Sequence, residues 1–252
     1  QFMQLGHEFE EKKPKQFEKL ISLSKPDDLI SFTYTSGTTG NPKAGMFTSR
    51  NIIASAKYLP NAIGVRDSDF YVCFLPLAHI AERLVGHFMK FFSGHPIAFA
   101  ESIEDMPQNI RQTGPTIMFG TPRVWEKFYA RILTGISDAT WIQKKLFYWA
   151  IGVGKENCEI IESGKTPGFR MKSKLAVAKF LIHNKIKDIF GGNIRIVLTG
   201  AAPISREIIH FFNWVGLDVY EAYGMTETSG IITVQSKGKT KIGSVGVPIP
   251  GT

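Results

Sequence analysis

Tyr34-Thr35-Ser36-Gly37-Thr38-Thr39-Gly40-Asn41-Pro42-Lys43 is the stretch around which this 252-residue chain is organised. It follows a short apolar run over residues 29–34 that reads as a buried strand, and a helical pattern begins near Thr48 or Ser49. Glycine and hydroxyl residues crowd together and end on a single lysine. A phosphate chain asks for this mixture. Glycines let the backbone come close and turn N–H groups toward the anion, hydroxyls donate further hydrogen bonds, and Lys43 brings a mobile positive charge. The spacing is not GxxxxGK[ST], because Gly37, Gly40 and Lys43 fall three apart. The plainer alternative is a flexible Gly/Thr surface turn, but ordinary turns rarely stack hydroxyls, glycines and a lysine directly behind a strand.

Beyond this stretch the chain alternates. Residues 49–59 read as a helix, 70–75 as an apolar strand, 79–93 as a helix stopped by Gly94, and 96–100 as a strand. Ser102-Ile103-Glu104-Asp105 has the form of a capping box before a short helix. Residues 116–119 form the next strand, and Thr121-Pro122 starts a helix with proline in its first turn. Strands at 194–198 and 217–220 flank a helix at 205–215. The alternation predicts an α/β fold with a largely parallel sheet covered by helices. Residues 1–26 read as surface helix and connector ahead of a domain over 27–252, and residues 243–252 as a turn-rich segment packing no core of its own. Two long helical stretches over 138–190 break the rhythm. The second, residues 171–189, places Leu175, Ala178, Ile182, Ile186 and Ile189 near one face and carries Lys172, Lys174, Lys179, Lys185 and Lys187. Such a helix suits peripheral association with an anionic membrane, although a packed helix with a solvated basic face is the preferred alternative.

The composition, 43% apolar and 21% charged, is that of a soluble globular protein, and the net charge of +8 allows an anionic substrate or an anionic surface. There is no basic block long enough for a nucleic-acid arm and no recognition-helix signature, so no nucleic-acid partner is expected. Cys73 and Cys158 lie far apart and no Cys/His set has zinc spacing. The polar opening residues and the lack of a spanning apolar run point to a cytoplasmic, reducing setting.

In an open parallel sheet, ligands sit beyond the carboxyl ends of the strands. Besides the glycine stretch, two more segments fall at such ends: Gly200-Ala201-Ala202-Pro203 and Tyr223-Gly224-Met225-Thr226-Glu227. Small residues let a flat ring approach the backbone. Tyr223 offers a face for stacking, Thr226 a hydroxyl for a phosphate, and Glu227 a carboxylate for magnesium. Singly each has a bland alternative, as a helix entry, a core tyrosine or a solvated carboxylate.

Residues 35–43 resemble the phosphate-binding signature of the AMP-forming adenylating enzymes, and residues 223–227 resemble their second signature, in the correct order. The resemblance runs from about Leu29 to Thr252 and implies a fragment of that superfamily's large N-terminal domain. It implies that Thr35, Ser36, Gly37, Thr38, Thr39, Gly40 and Lys43 hold ATP phosphates, and that Gly200, Ala201, Ala202, Tyr223 and Gly224 frame the adenine. It further implies that Thr226 holds the α-phosphate, that Glu227 with Thr38 holds Mg2+, and that Lys43, His79, Thr226 and Glu227 form the catalytic set.

Leu75-Pro76-Leu77-Ala78-His79-Ile80-Ala81-Glu82 and Gly120-Thr121-Pro122-Arg123-Val124-Trp125-Glu126 look like the long-chain fatty acyl-CoA synthetases, especially the bubblegum-type branch. That resemblance implies His79, Gly120 and Met225 beside the acyl chain and coenzyme A. The implied reaction is ATP-dependent activation of a fatty acid and its transfer to CoA. A binding-only domain and adenylation feeding an acyl carrier protein are the alternatives. The sequence departs from the family in two ways. Ala44 follows Lys43 where glycine is usual, which would strain a turn of positive φ. The ribose-binding aspartate and the C-terminal lid with its lysine are missing, so the isolated chain is expected to bind rather than turn over.

Overall fold

The structure is a computed structural model that describes residues 1–35, 41–236, 238 and 240–251. Backbone contacts divide the chain into two compact units, Gln1–Ile53 and Ala54–Thr252.

The first unit opens with helices α1 (Phe2–Lys12) and α2 (Gln16–Leu23), neither of which buries a side chain. Strand β1 (Leu29–Thr35) then pairs antiparallel with β2 (Lys43–Thr48), in a register that sets Thr35 opposite Lys43 and Tyr34 opposite Ala44. The glycine-rich stretch therefore joins the two arms of a hairpin rather than leading straight into a helix, and β2 was not anticipated. Its strand character comes from pairing with β1, which no local pattern encodes. Ser36 to Gly40 lie outside the described residues. Ala44 sits in extended strand, so replacing the family's glycine there creates no positive-φ strain. Helix α3 (Ser49–Ile63) starts where expected. The Thr48 backbone N–H donates to Asn51 Oδ1 at 3.0 Å while the Asn51 N–H donates to Thr48 Oγ1 at 3.3 Å, a reciprocal cap. From Ala54 onward α3 belongs to the second unit.

In that unit follow β3 (Tyr71–Cys73), α4 (Ile80–Glu82), a π-helical turn (Arg83–Phe88), α5 (Lys90–Ser93), β4 (Ile97–Phe99), α6 (Met106–Thr113), β5 (Ile117–Gly120) and α7 (Pro122–Ser137). The helices α8 (Trp141–Glu162) and α9 (Phe169–Ala178), a second π turn (Lys179–His183) and α10 (Asn184–Asp188) come next. The unit closes with β6 (Ile196–Thr199), α11 (Arg206–Trp214), β7 (Val219–Met225), a 3-10 turn (Thr226–Thr228), β8 (Gly230–Val234) and β9 (Val247–Pro248).

The strands form one sheet in the order β4-β3-β5-β6-β7-β8-β9, parallel from β4 to β7 and antiparallel at β8 and β9. The central strands β3, β5 and β6 are buried on both faces, which is why they read as unbroken apolar runs. Alternate residues serve two layers. Val72, Met118, Val197 and Val219 pack with α6, α7 and α11, whereas Tyr71, Phe119, Leu198 and Tyr220 pack with α3 and the helical segment from Ile80.

Trp125 anchors the first layer. It is fully buried, meets Phe190 and Phe212 edge or tilted, and its indole N–H donates to the Gly120 carbonyl at 3.1 Å. At the amino ends of the strands, buried Asp69 accepts from the Thr116 hydroxyl at 2.7 Å and from the Arg66 amide at 2.8 Å, and it pairs with Arg195.

The strand over residues 29–34, expected to be buried, exposes Leu29, Ile30, Phe32 and Tyr34, and three further expectations need correction. Ser102 and Asp105 bond each other in a turn ahead of α6, whose N-cap is Asp105 with no side-chain cap bond, so they do not box that helix. The strand expected to stop at Tyr220 runs on to Met225, because β8 pairs with its far half. Ile249, in the segment expected to pack no core, is buried in the second layer.

Candidate active site

β5, β6 and β7 lie side by side, with Gly120 opposite Thr199 and Thr199 opposite Glu221, so their carboxyl ends open together. The chain leaves β6 through Gly200 and then Ala201, whose φ of +69° is left-handed for a residue with a Cβ. A Cβ on Gly200 would stand 3.0 Å from the Ala222 carbonyl. Gly224 is more constrained, since a Cβ there would come within 1.8 Å of the Gly230 carbonyl. Small residues at these positions let two strand ends and the β8 hairpin close on one space.

That space has two parts. One cavity of about 410 Å³ is lined by Thr199, Ala202, Pro203, Arg206, Glu221 and Tyr223, among others. The other, about 190 Å³, is lined by His79, Ala81, Phe119, Met225 and Thr226, among others. Gly200, Ala201, Ala222 and Gly224 wall both. The larger cavity falls in the size range of small-molecule sites.

Of the residues singled out in the sequence, His79, Gly200, Ala201, Ala202, Tyr223, Gly224, Met225 and Thr226 therefore gather around these two cavities. Tyr223 keeps 44% of its surface exposed, enough to offer a ring face. Glu227 is exposed on the 3-10 turn beside Thr226. The Thr228 hydroxyl holds that turn by accepting from the Met225 amide at 2.9 Å and donating to the Met225 carbonyl at 3.0 Å. Gly120 is buried against Trp125, and its neighbour Phe119 reaches the cavity wall. Thr35 and Lys43 belong to the other unit, where the Thr35 hydroxyl donates to the Lys43 carbonyl at 3.3 Å and Lys43 is exposed.

His79 caps α4. The Ala81 amide donates to its Nδ1 at 3.2 Å, which makes Nδ1 the acceptor and leaves the proton of the neutral ring on Nε2. The cap fixes the ring that lines the smaller cavity.

Thr199 heads the segment that resembles the family's adenine side, but its own weight, like that of Gln235 and Glu82, comes from the structure. The Thr199 hydroxyl, on a side chain 1% exposed, has no hydrogen-bond partner among the described residues and lines the larger cavity, as a group kept for a ligand would. Gln235 is buried and ties β7 to the following loop. Its Oε1 accepts from the Glu221 amide at 3.3 Å and its Nε2 donates to the Lys241 carbonyl at 2.7 Å. Glu82, next to Ala81 in the cavity wall, is wholly buried and accepts from the Tyr71 hydroxyl at 2.8 Å. Burial pushes the Glu82 carboxyl up to about 7 against the opposing pull of the Cys73 thiol, the Tyr71 hydroxyl and the amides of Phe74 and Leu75. Gly86 on the π turn makes room for it, as a Cβ there would stand 3.0 Å from Glu82 Oε1. A lone acid three residues after His79 on an apolar helix was the available signal.

Among the described residues no three His, Cys, Asp or Glu side chains cluster as a metal cage. One exposed carboxylate beside one hydroxyl fits magnesium, which is held by few protein oxygens and completes its shell with phosphates and water.

Comparison with known proteins fits this geometry. The chain is 32% identical to the long-chain-fatty-acid–CoA ligase ACSBG2 of Xenopus laevis, over all of this chain and 34% of that protein. It is 31% identical to the long-chain-fatty-acid–CoA ligase FadD15 of Mycobacterium tuberculosis, over 94% of this chain and 39% of that one. The chain thus spans less than half the length of these relatives. Among solved structures, a malonyl-CoA ligase with methylmalonyl-CoA and AMP bound matches 90% of this chain and 39% of its own, with a TM-score of 0.59 and 22% identity, a likeness of fold. The AMP-binding enzyme family matches residues 3–252, and the chain belongs to that family.

Proposed function

We propose that this chain is the nucleotide- and acyl-binding portion of an AMP-forming ligase that activates a long-chain fatty acid and passes it to coenzyme A. The observation that carries the proposal is the wall shared by the two cavities. Gly200, Ala201 and Gly224 separate a space faced by Tyr223 and Thr199 from one faced by His79 and Met225.

Under this proposal Tyr223 stacks on adenine while Gly200, Ala201 and Ala202 let the ring reach the backbone. Thr226 donates to the α-phosphate. Thr35, Ser36, Gly37, Thr38, Thr39 and Gly40, with Lys43, hold the remaining phosphates. Glu227 and Thr38 would hold Mg2+, which supplies charge neutralisation to the phosphates when bound. The fatty-acid carboxylate attacks the α-phosphorus and pyrophosphate leaves. The CoA thiol then attacks the acyl carbon, AMP departs, and the thiol proton is released to solvent. His79, Gly120 and Met225 border that second transfer. Little covalent work falls to the protein. It aligns two anions and sets N–H and O–H donors where charge builds, each such donor being worth on the order of 10²–10³ in rate.

The test is fatty-acid-dependent pyrophosphate exchange and AMP release, measured on a chain extended to the length of the relatives, with ATP titration of the 252-residue chain alongside. Thr199→Val keeps the shape and removes the hydroxyl. It should weaken ATP binding about tenfold without lowering the melting temperature, since it also removes an unpaired buried group. No exchange with any fatty acid in the extended chain rejects the ligase. Ala44, which would favour a binding-only domain if it strained the phosphate turn, lies in extended strand in β2.

A further inference from the structure

We infer that the outer face of α9 and the π turn after it is a docking surface for an anionic lipid bilayer. Phe169, Ser173, Ala176, Val177 and Phe180 recur at the spacing that sets them on one side of a helix. Phe169 is 88% exposed, Val177 49% and Phe180 77%. The opposite face is already occupied, with Met171 and Ala178 packed on Ala150 and Val153 of α8. Two polar links hold the pair in place: Lys174 Nζ lies 3.1 Å from Glu156, and the His183 ring bonds the Ala150 carbonyl at 3.1 Å. The exposed phenylalanines are thus fixed outward on a helix with no remaining apolar side to hide them.

The charge around the stripe decides what covers it. Residues 163–187 contain seven Lys and Arg and no Asp or Glu. Arg170, Lys172 and Lys179, on the exposed turns of α9 and the π turn, flank the apolar residues, with exposed Lys165 before and Lys185 after. Among the described residues no helix is long and apolar enough to cross a membrane. An apolar stripe about three turns long edged by cations is what a helix lying in the headgroup plane needs, with phenylalanines reaching the acyl boundary and lysines meeting anionic headgroups. A folded protein partner would be expected to meet a broad flat patch, not isolated rings standing among cations.

The experiment is sedimentation of the 252-residue chain with vesicles of phosphatidylcholine alone and of phosphatidylcholine with about 30% phosphatidylserine, at about 0.15 M salt. Nucleotide is left out, so the outcome is independent of the proposed ligase activity. Binding to the anionic vesicles should be at least about tenfold tighter than to neutral ones. Lys172→Glu with Lys179→Glu should weaken it at least about tenfold, and Lys172→Arg with Lys179→Arg should preserve it. Phe169→Ser with Phe180→Ser should weaken it by about tenfold or more, with an unchanged circular dichroism spectrum. Equal binding to both vesicle types, or binding indifferent to both disruptive pairs, overturns the inference. So does a dimer in solution that the Phe→Ser pair dissociates while vesicles capture nothing, which would make this face an interface between copies of the chain.

Discussion

Glu82 shows how a single side chain can set a condition on the whole site. Its carboxyl is wholly buried behind the wall formed by Ala81, and burial raises it to about 7. A raised acid holds more protons in the folded state than in the unfolded one between the ordinary carboxylate value and about 7. Stability therefore falls as pH rises through that window and levels off above it. Glu82→Gln keeps an acceptor for the Tyr71 hydroxyl and removes the titration. Thermal melts of this variant should show the pH 5–7 decline flattened, with a gain on the order of 1–2 kcal/mol at about pH 8. A decline as steep as in the parent would mean that the carboxyl titrates near its ordinary value in the folded chain. The sequence offered only the weak sign of a lone acid on an apolar helix, because a glutamate near a helix start is ordinarily a solvated one.

At the scale of elements, the packing of α8 on α11 turns on one glycine. A Cβ on Gly154 would lie 1.8 Å from the Trp214 carbonyl, and Cys158 Sγ donates to the Asn213 carbonyl at 3.8 Å one turn on. Gly154→Ala favours the helix by about 1 kcal/mol in isolation, but the clash requires α11 to move. The net effect should be a loss of about 2–4 kcal/mol in denaturant unfolding, and a neutral result would show that α11 is free to shift. Which elements were legible follows the same logic of local against distant causes. α7 could be read from Thr121-Pro122 because a proline in the first turn is a local signal. β2 and the far half of β7 could not, because each is a strand only through its partner. The π turns were hidden too, since one extra residue in a helix leaves the apolar spacing almost intact. Of the candidate site, the residue types after β6 and β7 were readable as ligand chemistry. The positive φ of Ala201 and the orphaned hydroxyl of Thr199 emerge only when β6 and β7 lie side by side.

Across the second unit as a whole, the candidate site and a polar clamp occupy opposite ends of the sheet. The strands' amino ends are drawn together by Asp69, Thr116 and Arg195, which bring β3, β5 and β6 into line. Burial raises the Asp69 carboxyl, but Arg195, the Thr116 hydroxyl and the Arg66 amide together outweigh it and hold the group below its usual range. A depressed acid contributes stability above its unfolded value, and that contribution is lost as pH falls through the folded one. Arg195→Ala strands a buried carboxylate and should lower stability at neutral pH by about 2 kcal/mol, at the small end for a buried pair because the guanidinium is a third exposed. The gap between variant and parent melting temperatures should narrow as pH is lowered from about 5 to 3, and a constant gap would rule out the ion pair as its cause.

β7 has one further consequence, for how such a protein can change over generations. Tyr220 packs in the second layer, Ala222 both packs there and walls the cavities, and Glu221 and Tyr223 line the larger cavity with Met225 on the smaller one. Because successive side chains of a strand turn to opposite sides, new preferences for what is bound can be explored at 221, 223 and 225 while their interleaved neighbours keep the interior filled. Gly224, wedged against the Gly230 carbonyl, is closed to that exploration.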